Sequence, residues 1–210
     1  ANNPTLQLFQ TNQTKMTVME KSNTSTSFVE LAGLVEADDM TVLKLTDVTV
    51  TGDADDAFRL SRALRGHPNL EEVVFTNITL DSGMFMDSII EMMLVSSQTL
   101  KVIHLDKVPV HAKSVATLAY CATLTKLSLP NNGFNDVDAQ EIAAAVEASK
   151  SVTEVDLSGN SISDVGCKSL SLCLEKNKII EKISLAGNSI STGECTKLES
   201  TLKSRAAIAA

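Results

Sequence analysis

Three segments of the chain repeat one pattern at one spacing. They begin at Leu124, Val152 and Ile180, and they read LTKLSLPNNGF, VTEVDLSGNSI and IEKISLAGNSI. Each start lies 28 residues after the previous one, and each segment has the form apolar-x-x-apolar-x-Leu-x-x-Asn-x-apolar. Self-similarity at a fixed period of about 20–50 residues indicates a repeat architecture, in which each unit buries its apolar face against its neighbours.

The same frame extends towards the amino terminus. Looser copies begin at Leu100, Leu70 and Met40, and they read LKVIHLDKVPV, LEEVVFTNITL and MTVLKLTDVTV. We therefore predict six units, with starts near residues 40, 70, 100, 124, 152 and 180. The distance from one start to the next is shortest for the unit that begins at Leu100. We therefore predict a shortened helix in that unit.

Each unit predicts a strand, a turn and a returning helix. In the strand, alternate side chains point into the core and those between them point to the opposite sheet face. After the turn, apolar residues recur three and then four positions apart, as at Ala139, Ile142 and Val146, and this spacing forms one inward helical stripe. The sequence therefore predicts an α/β solenoid with a parallel sheet on one side and helices on the other.

The segments that flank the repeats carry weaker patterns. We assign residues 27–202 to the repeat domain, 1–26 to an amino-terminal extension or cap, and 203–210 to a carboxy-terminal tail. Ser27 and Glu30 have the spacing of a capping box, which predicts a helix that forms the helical half of an incomplete leading unit. The cap is expected to be irregular or a hairpin, with apolar positions at Leu6, Leu8, Met16 and Val18.

The units from Leu124 to about Leu202 resemble the ribonuclease-inhibitor-like subclass of leucine-rich repeats, which includes tropomodulin, the Ran GTPase-activating proteins and the repeat domains of NOD-like receptors. The resemblance implies a curved leucine-rich-repeat solenoid with the parallel sheet on its concave side, helices outside and a role in protein binding. It also implies a structural asparagine ladder, in which side chains at equivalent positions bond to turn backbone: Asn132, Asn160 and Asn188.

The first three units depart from this pattern. Val48, Ile78 and Val108 stand where the later units carry asparagine. An unpaired buried amide costs about 1–3 kcal/mol, so these turns must satisfy their backbone groups in another way.

Composition narrows the partners and the compartment. The net charge of -8 argues against phosphate-backbone binding, so a nucleic-acid partner is not expected. No run approaches the roughly 18 apolar residues of a membrane span. The chain has four cysteines, at Cys121, Cys167, Cys173 and Cys195, and they form no CxxC pair. This favours reduced thiols in the cytoplasm or another reducing compartment. A cleaved organelle targeting segment remains an open alternative.

The candidate chemical groups do not converge on a reactive site. Acidic residues such as Asp53, Asp136 and Asp164 recur once per unit before the predicted helices, and helix capping explains them without a metal. No HExxH motif, phosphate loop or ordering of a nucleophile with histidine appears. We therefore expect no catalytic residues, no cofactor and no metal site.

The outward strand positions differ between the two halves. In the later units Lys126, Glu154 and Lys182 form one column, which predicts a ladder of paired, solvated charges. In the earlier units we interpret the equivalent residues as a partner-binding patch on the concave face, because apolar side chains there have no core to enter: Val42, Lys44, Glu72, Val74, Val102 and His104. Coverage of the valines by the amino-terminal cap is the alternative.

These observations predict a non-enzymatic protein–protein interaction or scaffold module, free or as a subunit of a larger assembly. The partner is expected to be a protein, and the sequence does not indicate which one. One alternative is a GTPase-activating-type regulator similar to the Ran activators, which would stimulate GTP hydrolysis. The other is a structural spacer, which would capture no partner.

Overall fold

The computed structural model describes residues 6–11, 14–37, 40–65, 67–81, 86–94 and 98–208. In these residues one sheet of eight strands runs in chain order from β1 to β8. Its strands are β1 (Leu6–Thr11), β2 (Thr14–Ser27), β3 (Val42–Thr51), β4 (Glu72–Leu80), β5 (Val102–Asp106), β6 (Lys126–Ser128), β7 (Glu154–Asp156) and β8 (Lys182–Ser184). Its helices are α1 (Phe28–Ala37), α2 (Ala54–Leu64), α3 (Asp87–Leu94), α4 (Ala112–Thr117), α5 (Asp136–Ala148), α6 (Asp164–Lys176) and α7 (Thr192–Ile208).

Strands β2 to β8 are parallel, and each pairs with the next at one register. The register aligns a column of buried apolar residues that faces the helices: Leu43, Val73, Ile103, Leu127, Val155 and Ile183. Consecutive helices pack on one another and form the second layer. The α/β leucine-rich-repeat solenoid predicted from the sequence is confirmed.

The amino-terminal segment completes the leading unit of which the sequence predicted only the helical half, so it stands beside the six predicted units. Strand β2 pairs in parallel with β3 from Val18 opposite Val42 to Ser27 opposite Thr51, and α1 follows it directly. Seven parallel strands therefore alternate with seven helices. The sequence pattern concealed the first strand because Lys21 lies opposite Leu45, where the later units carry an apolar side chain.

Strand β1 adds an antiparallel edge to this first unit. It pairs with β2 from Leu6 opposite Met19 to Thr11 opposite Thr14. The segment extends the sheet at its edge, as a hairpin would. The side chains of the predicted cap residues Leu6, Leu8 and Met16 lie outside the described part of the structure.

The first strands are longer than the later ones because pairing continues through the turn position. Asp47 and Asn77 have positive φ angles of 53°, and the parallel register resumes beyond them with Val48 opposite Ile78 and Val50 opposite Leu80. The backbone of these turns is thus satisfied by the neighbouring strand. Strands β6 to β8 have three residues each, and their turns use the asparagines instead.

The helices match the predicted stripes in most units. Ala139, Ile142 and Val146 are fully buried on α5, and the shortened helix of the third predicted unit is confirmed by α4, which has six residues. The side chain of Met93, predicted in the α3 stripe, lies outside the described part. Helix α7 continues to Ile208, past the domain boundary proposed at residue 202. Within the described residues, no helix has the length and apolar character needed to cross a membrane.

Candidate functional site: the open face of the sheet

The sheet face that points away from the helices is called the open face here. Two columns of side chains run across it from one strand to the next. The first column contains Val18, Val42, Glu72, Val102, Lys126, Glu154 and Lys182. The second column contains Glu20, Lys44, Val74, His104, Ser128, Asp156 and Ser184.

The six residues proposed for partner binding all lie in these columns on β3, β4 and β5. Val42 is only 7% exposed, so it offers a partner little surface. The other five are partly exposed. Val74 lies between Lys44 and His104, whereas Val102 lies between Glu72 and Lys126, so the two valines are diagonal neighbours within reach of one partner side chain.

A hydrogen-bonded chain fixes His104 on this face. Its Nδ1 atom lies 2.8 Å from Ser128 Oγ, and the Ser128 hydroxyl donates to Asp156 Oδ2 at 3.4 Å. A hydroxyl has one proton, so Ser128 must accept from the Nδ1–H of His104 when it donates to Asp156. In neutral His104 this arrangement leaves Nε2 as the acceptor.

The same three residue types occur in hydrolases, but their order differs here. In a catalytic triad the carboxylate orients the histidine and the histidine activates the serine. Here Ser128 lies between His104 and Asp156, and its side chain is only 2% exposed. This arrangement holds the imidazole in place and offers no activated nucleophile.

The predicted pairing in the charged column is wrong. Lys126, Glu154 and Lys182 are neighbours in register, yet among the described residues no ion pair within 4.0 Å joins them. The salt bridge between adjacent strands of the open face instead joins Lys44 to Glu20 at 2.8 Å. Adjacent Cα atoms do not fix the rotamers of long side chains, and a solvated lysine gains little from pairing.

The asparagines bond to the turn of the preceding unit. The side-chain amide of Asn160 donates to the carbonyls of Leu129 and Leu157 at 3.0 and 2.8 Å, and its Oδ1 accepts from the backbone amides of Asn132 and Phe134 at 3.0 and 3.1 Å. Asn132 Oδ1 similarly accepts from the Val108 amide. Asn132 therefore also binds the turn at Val108, which has no asparagine of its own.

Sequence reasoning missed a second ladder on the helical side. Asp136, the first residue of α5, accepts from the backbone amide and hydroxyl of Ser163 and from the Gly166 amide in the next unit. Asp164 accepts from the Ser191 amide in the same way. Hydrogen bonds from Ser163 lower the pKa of Asp136 below its ordinary value of 3.8, and those from Ser191 lower the pKa of Asp164. The sequence predicted Asp136 and Asp164 only as helix caps. Their equivalent positions in adjacent units were the signal that could have indicated the ladder.

The predicted capping box of α1 forms only in part, because Glu30 has other partners. The Glu30 amide donates to Ser27 Oγ, but the Glu30 carboxylate accepts from Lys21 Nζ at 2.6 Å and from Thr26 Oγ1 at 2.8 Å. Lys21 is 7% exposed at an inward position, so it requires these partners. The hydrogen bond from Lys21 is the main reason that the pKa of Glu30 is lowered.

A cavity of 360 Å³ lies at the other end of the stack, away from the valines. It is lined by residues of β8, its turn and α7, including Leu185, Ile190, Cys195 and Leu198. All four cysteines are free thiols, and burial raises the pKa of Cys167 above its usual value. In the part of the chain that the structure describes, no group of three or more potential ligands is arranged to hold a metal ion.

Comparison with known proteins identifies the repeats. The sequence profile described as "Leucine Rich repeat" matches residues 120–143 and 148–171. The solved structure "Leiomodin-1 Actin-Binding Site 2 (ABS2)" aligns over 74% of this chain and 91% of its own, at 14% identity and a TM-score of 0.42. No curated protein sequence matches. The chain therefore contains leucine-rich repeats at residues 120–143 and 148–171, and in the described part of the structure its seven parallel strands each precede a helix.

Proposed function

We propose that the chain is a protein-interaction module without catalytic activity, and that it binds its partner on the open face around Val74, Val102 and His104. The observation that carries the proposal is the partial exposure of two diagonal valines on a sheet face that no described element covers. The amino-terminal hairpin, whose coverage of the valines was the alternative, extends the sheet at its edge.

The surroundings of the valines suit a specific interface. Desolvation of an apolar centre supplies hot-spot energy of about 2 kcal/mol or more, whereas exposed charges contribute roughly 0–1 kcal/mol. His104, held by Ser128, adds a polar group whose orientation is already fixed before binding. Lys44 and Glu72 border this centre as a polar rim.

The test begins with affinity capture and mass spectrometry to identify the partner, followed by calorimetric titration of that partner. We expect Val74→Ser with Val102→Ser to weaken binding by about tenfold or more, which corresponds to about 1.4 kcal/mol. Lys126→Ala with Lys182→Ala is the matched control, because it changes two open-face residues that form no ion pair. Each variant is checked for an unchanged melting temperature.

Three results would contradict the proposal. Loss of affinity in the lysine pair with full affinity in the valine pair would place the binding energy in the charged column. Unchanged affinity in both pairs would place the interface elsewhere on the molecule. Failure to capture any partner would favour a structural spacer.

A further inference from the structure

Helix α2 concentrates one type of side chain. Three of the four arginines of the chain lie between positions 59 and 65, in and just after this helix: Arg59, Arg62 and Arg65. Phe58 lies beside them and is 55% exposed. At 3.6 residues per turn, Phe58, Arg62 and Arg65 fall within about 60° of one another around the helix axis. They therefore form one outward stripe, opposite the buried Leu60 and Leu64.

The arginines of this cluster have no ionic partner in the part of the chain that the structure describes. Two lysines on other helices have partners, since Lys176 pairs with Glu147 and Lys197 with Glu194. By contrast, no ion pair within 4.0 Å involves Arg59, Arg62 or Arg65 among the described residues. All three are exposed.

Ordinary helix stabilisation explains only part of this arrangement. Cations near a helix carboxy terminus interact favourably with its dipole, which accounts for a basic residue at Arg62 or Arg65. The helix dipole does not account for the exposed phenyl ring of Phe58 in the same stripe. Val29 on the adjacent helix α1 is also exposed. It occupies the position equivalent to Phe58, because each directly follows a buried residue of its helix. Aromatic side chains and arginine are the residue types enriched where proteins bind proteins.

We propose that the outward stripe of α2, formed by Phe58, Arg62 and Arg65 with Arg59 at its side, is a second docking surface, which binds an acidic protein segment that carries an apolar side chain. Guanidinium groups hold carboxylates through paired hydrogen bonds, and Phe58 with Val29 provides an apolar contact. This surface belongs to the helical layer, so it is independent of the open face.

The basic surface on α2 is narrow, which favours an acidic protein segment over other anionic partners. The neighbouring helices carry Glu36 on α1 and Glu91 on α3, so the positive surface is confined to about one helix. A nucleic-acid backbone or an anionic membrane is bound by a broader set of basic residues. The net charge of -8 opposes both.

The experiment selects binders from a random peptide library displayed on phage, with the full chain as the immobilised target. Selected peptides are then synthesised with a fluorescent label, and their affinities are measured by anisotropy. The variants are Phe58→Ser and the pair Arg62→Gln with Arg65→Gln. The matched control is Lys113→Gln with Lys168→Gln, which removes two exposed charges from other helices. Melting temperatures confirm that each variant is folded.

We expect peptides rich in Asp and Glu around an apolar residue. Their affinity should fall about tenfold or more in both α2 variants and stay unchanged in the lysine control. The proposal is overturned if the selected peptides are not acidic, or if the α2 variants bind them normally. It is also overturned if single-stranded RNA or phosphatidylserine vesicles bind through the same arginines more tightly than the peptides. The valine variants of the open face should leave peptide binding intact, so this test and that of the open face fail separately.

Discussion

Replacement of Asn160 by alanine tests how the later turns are held. The side chain is 6% exposed and bridges two units through both of its polar atoms. Truncation removes the acceptor of two backbone amides, those of Asn132 and Phe134, and the donor to three carbonyls. The turn of one unit then loses its connection to the next.

The expected loss follows from the groups left unpaired. Each buried amide without a partner costs about 1–3 kcal/mol, and the Phe134 amide lies in buried surroundings, whereas Asn132 is half-exposed and its amide can recover a hydrogen bond to water. We therefore expect Asn160→Ala to lower the free energy of unfolding by about 3 kcal/mol. For a domain of this size, that corresponds to a fall in melting temperature of about 6–12 °C.

Asn188 provides a matched comparison one unit later. It is half-exposed, and its Oδ1 accepts from one amide, that of Ile162. Asn188→Ala should therefore cost about 1–2 kcal/mol. Asn160→Asp keeps the acceptors but places a carboxylate oxygen against the Leu129 and Leu157 carbonyls in a buried site, so it should cost at least as much as Asn160→Ala. Urea unfolding followed by circular dichroism measures all three, and equal losses for Asn160→Ala and Asn188→Ala, or a loss below about 1 kcal/mol for Asn160→Ala, would refute the reasoning.

Three further predictions concern stability. Gly159 and Gly187 have similar positive φ angles of 68° and 75°, but an added Cβ at Gly159 would overlap the Asn131 side chain, whereas at Gly187 the nearest atom is 3.4 Å away. Gly159→Ala should therefore lower the melting temperature more than Gly187→Ala; the reverse order would show that backbone conformation alone decides. The lowered pKa of Asp136 stabilises the fold at neutral pH, above the unfolded pKa, and this contribution is lost as pH falls through the folded pKa. The difference in unfolding free energy between wild type and Asp136→Asn should thus be present at pH 7, begin to shrink near about pH 4, where the unfolded carboxyl is protonated, and continue to shrink as pH falls through the lowered pKa of the folded state; a constant difference in urea titrations would argue against it. Leu157→Ala, at a fully buried position, should cost about 2–5 kcal/mol, whereas Glu154→Ala on the open face should cost less than about 0.5; similar losses in chemical unfolding would contradict the assigned strand faces.

The repeat period and the faces of the strands could be predicted because they depend on local side-chain spacing. Alternation along each strand placed Leu127 and Val155 inside, and the helical spacing placed Ile142 and Leu170 inside. The asparagine positions were also recognisable, because three identical residues recur at one offset. Such patterns survive folding, since each unit packs against a neighbour with the same pattern.

The binding candidates could be predicted only as positions on a face. The sequence placed Val42, Val74 and Val102 on outward positions, but their exposure depends on neighbouring strands, and Val42 is buried. The proposed stripe on α2 could not be recognised from the strand pattern, because its residues, including Phe58 and Arg62, lie on the helical half of the unit.

The sequence alone determined the architecture, through a period long enough for one strand and one helix. Only the tertiary structure decided which polar groups meet. Lys21 occupies an inward position because Glu30 and Thr26 are brought to it, and Asp136 holds Ser163 because adjacent helices begin side by side. Lys126 and Glu154, adjacent in register, remain apart. Local spacing fixes where a backbone runs, but long polar side chains choose among rotamers, and that choice depends on partners from distant parts of the chain.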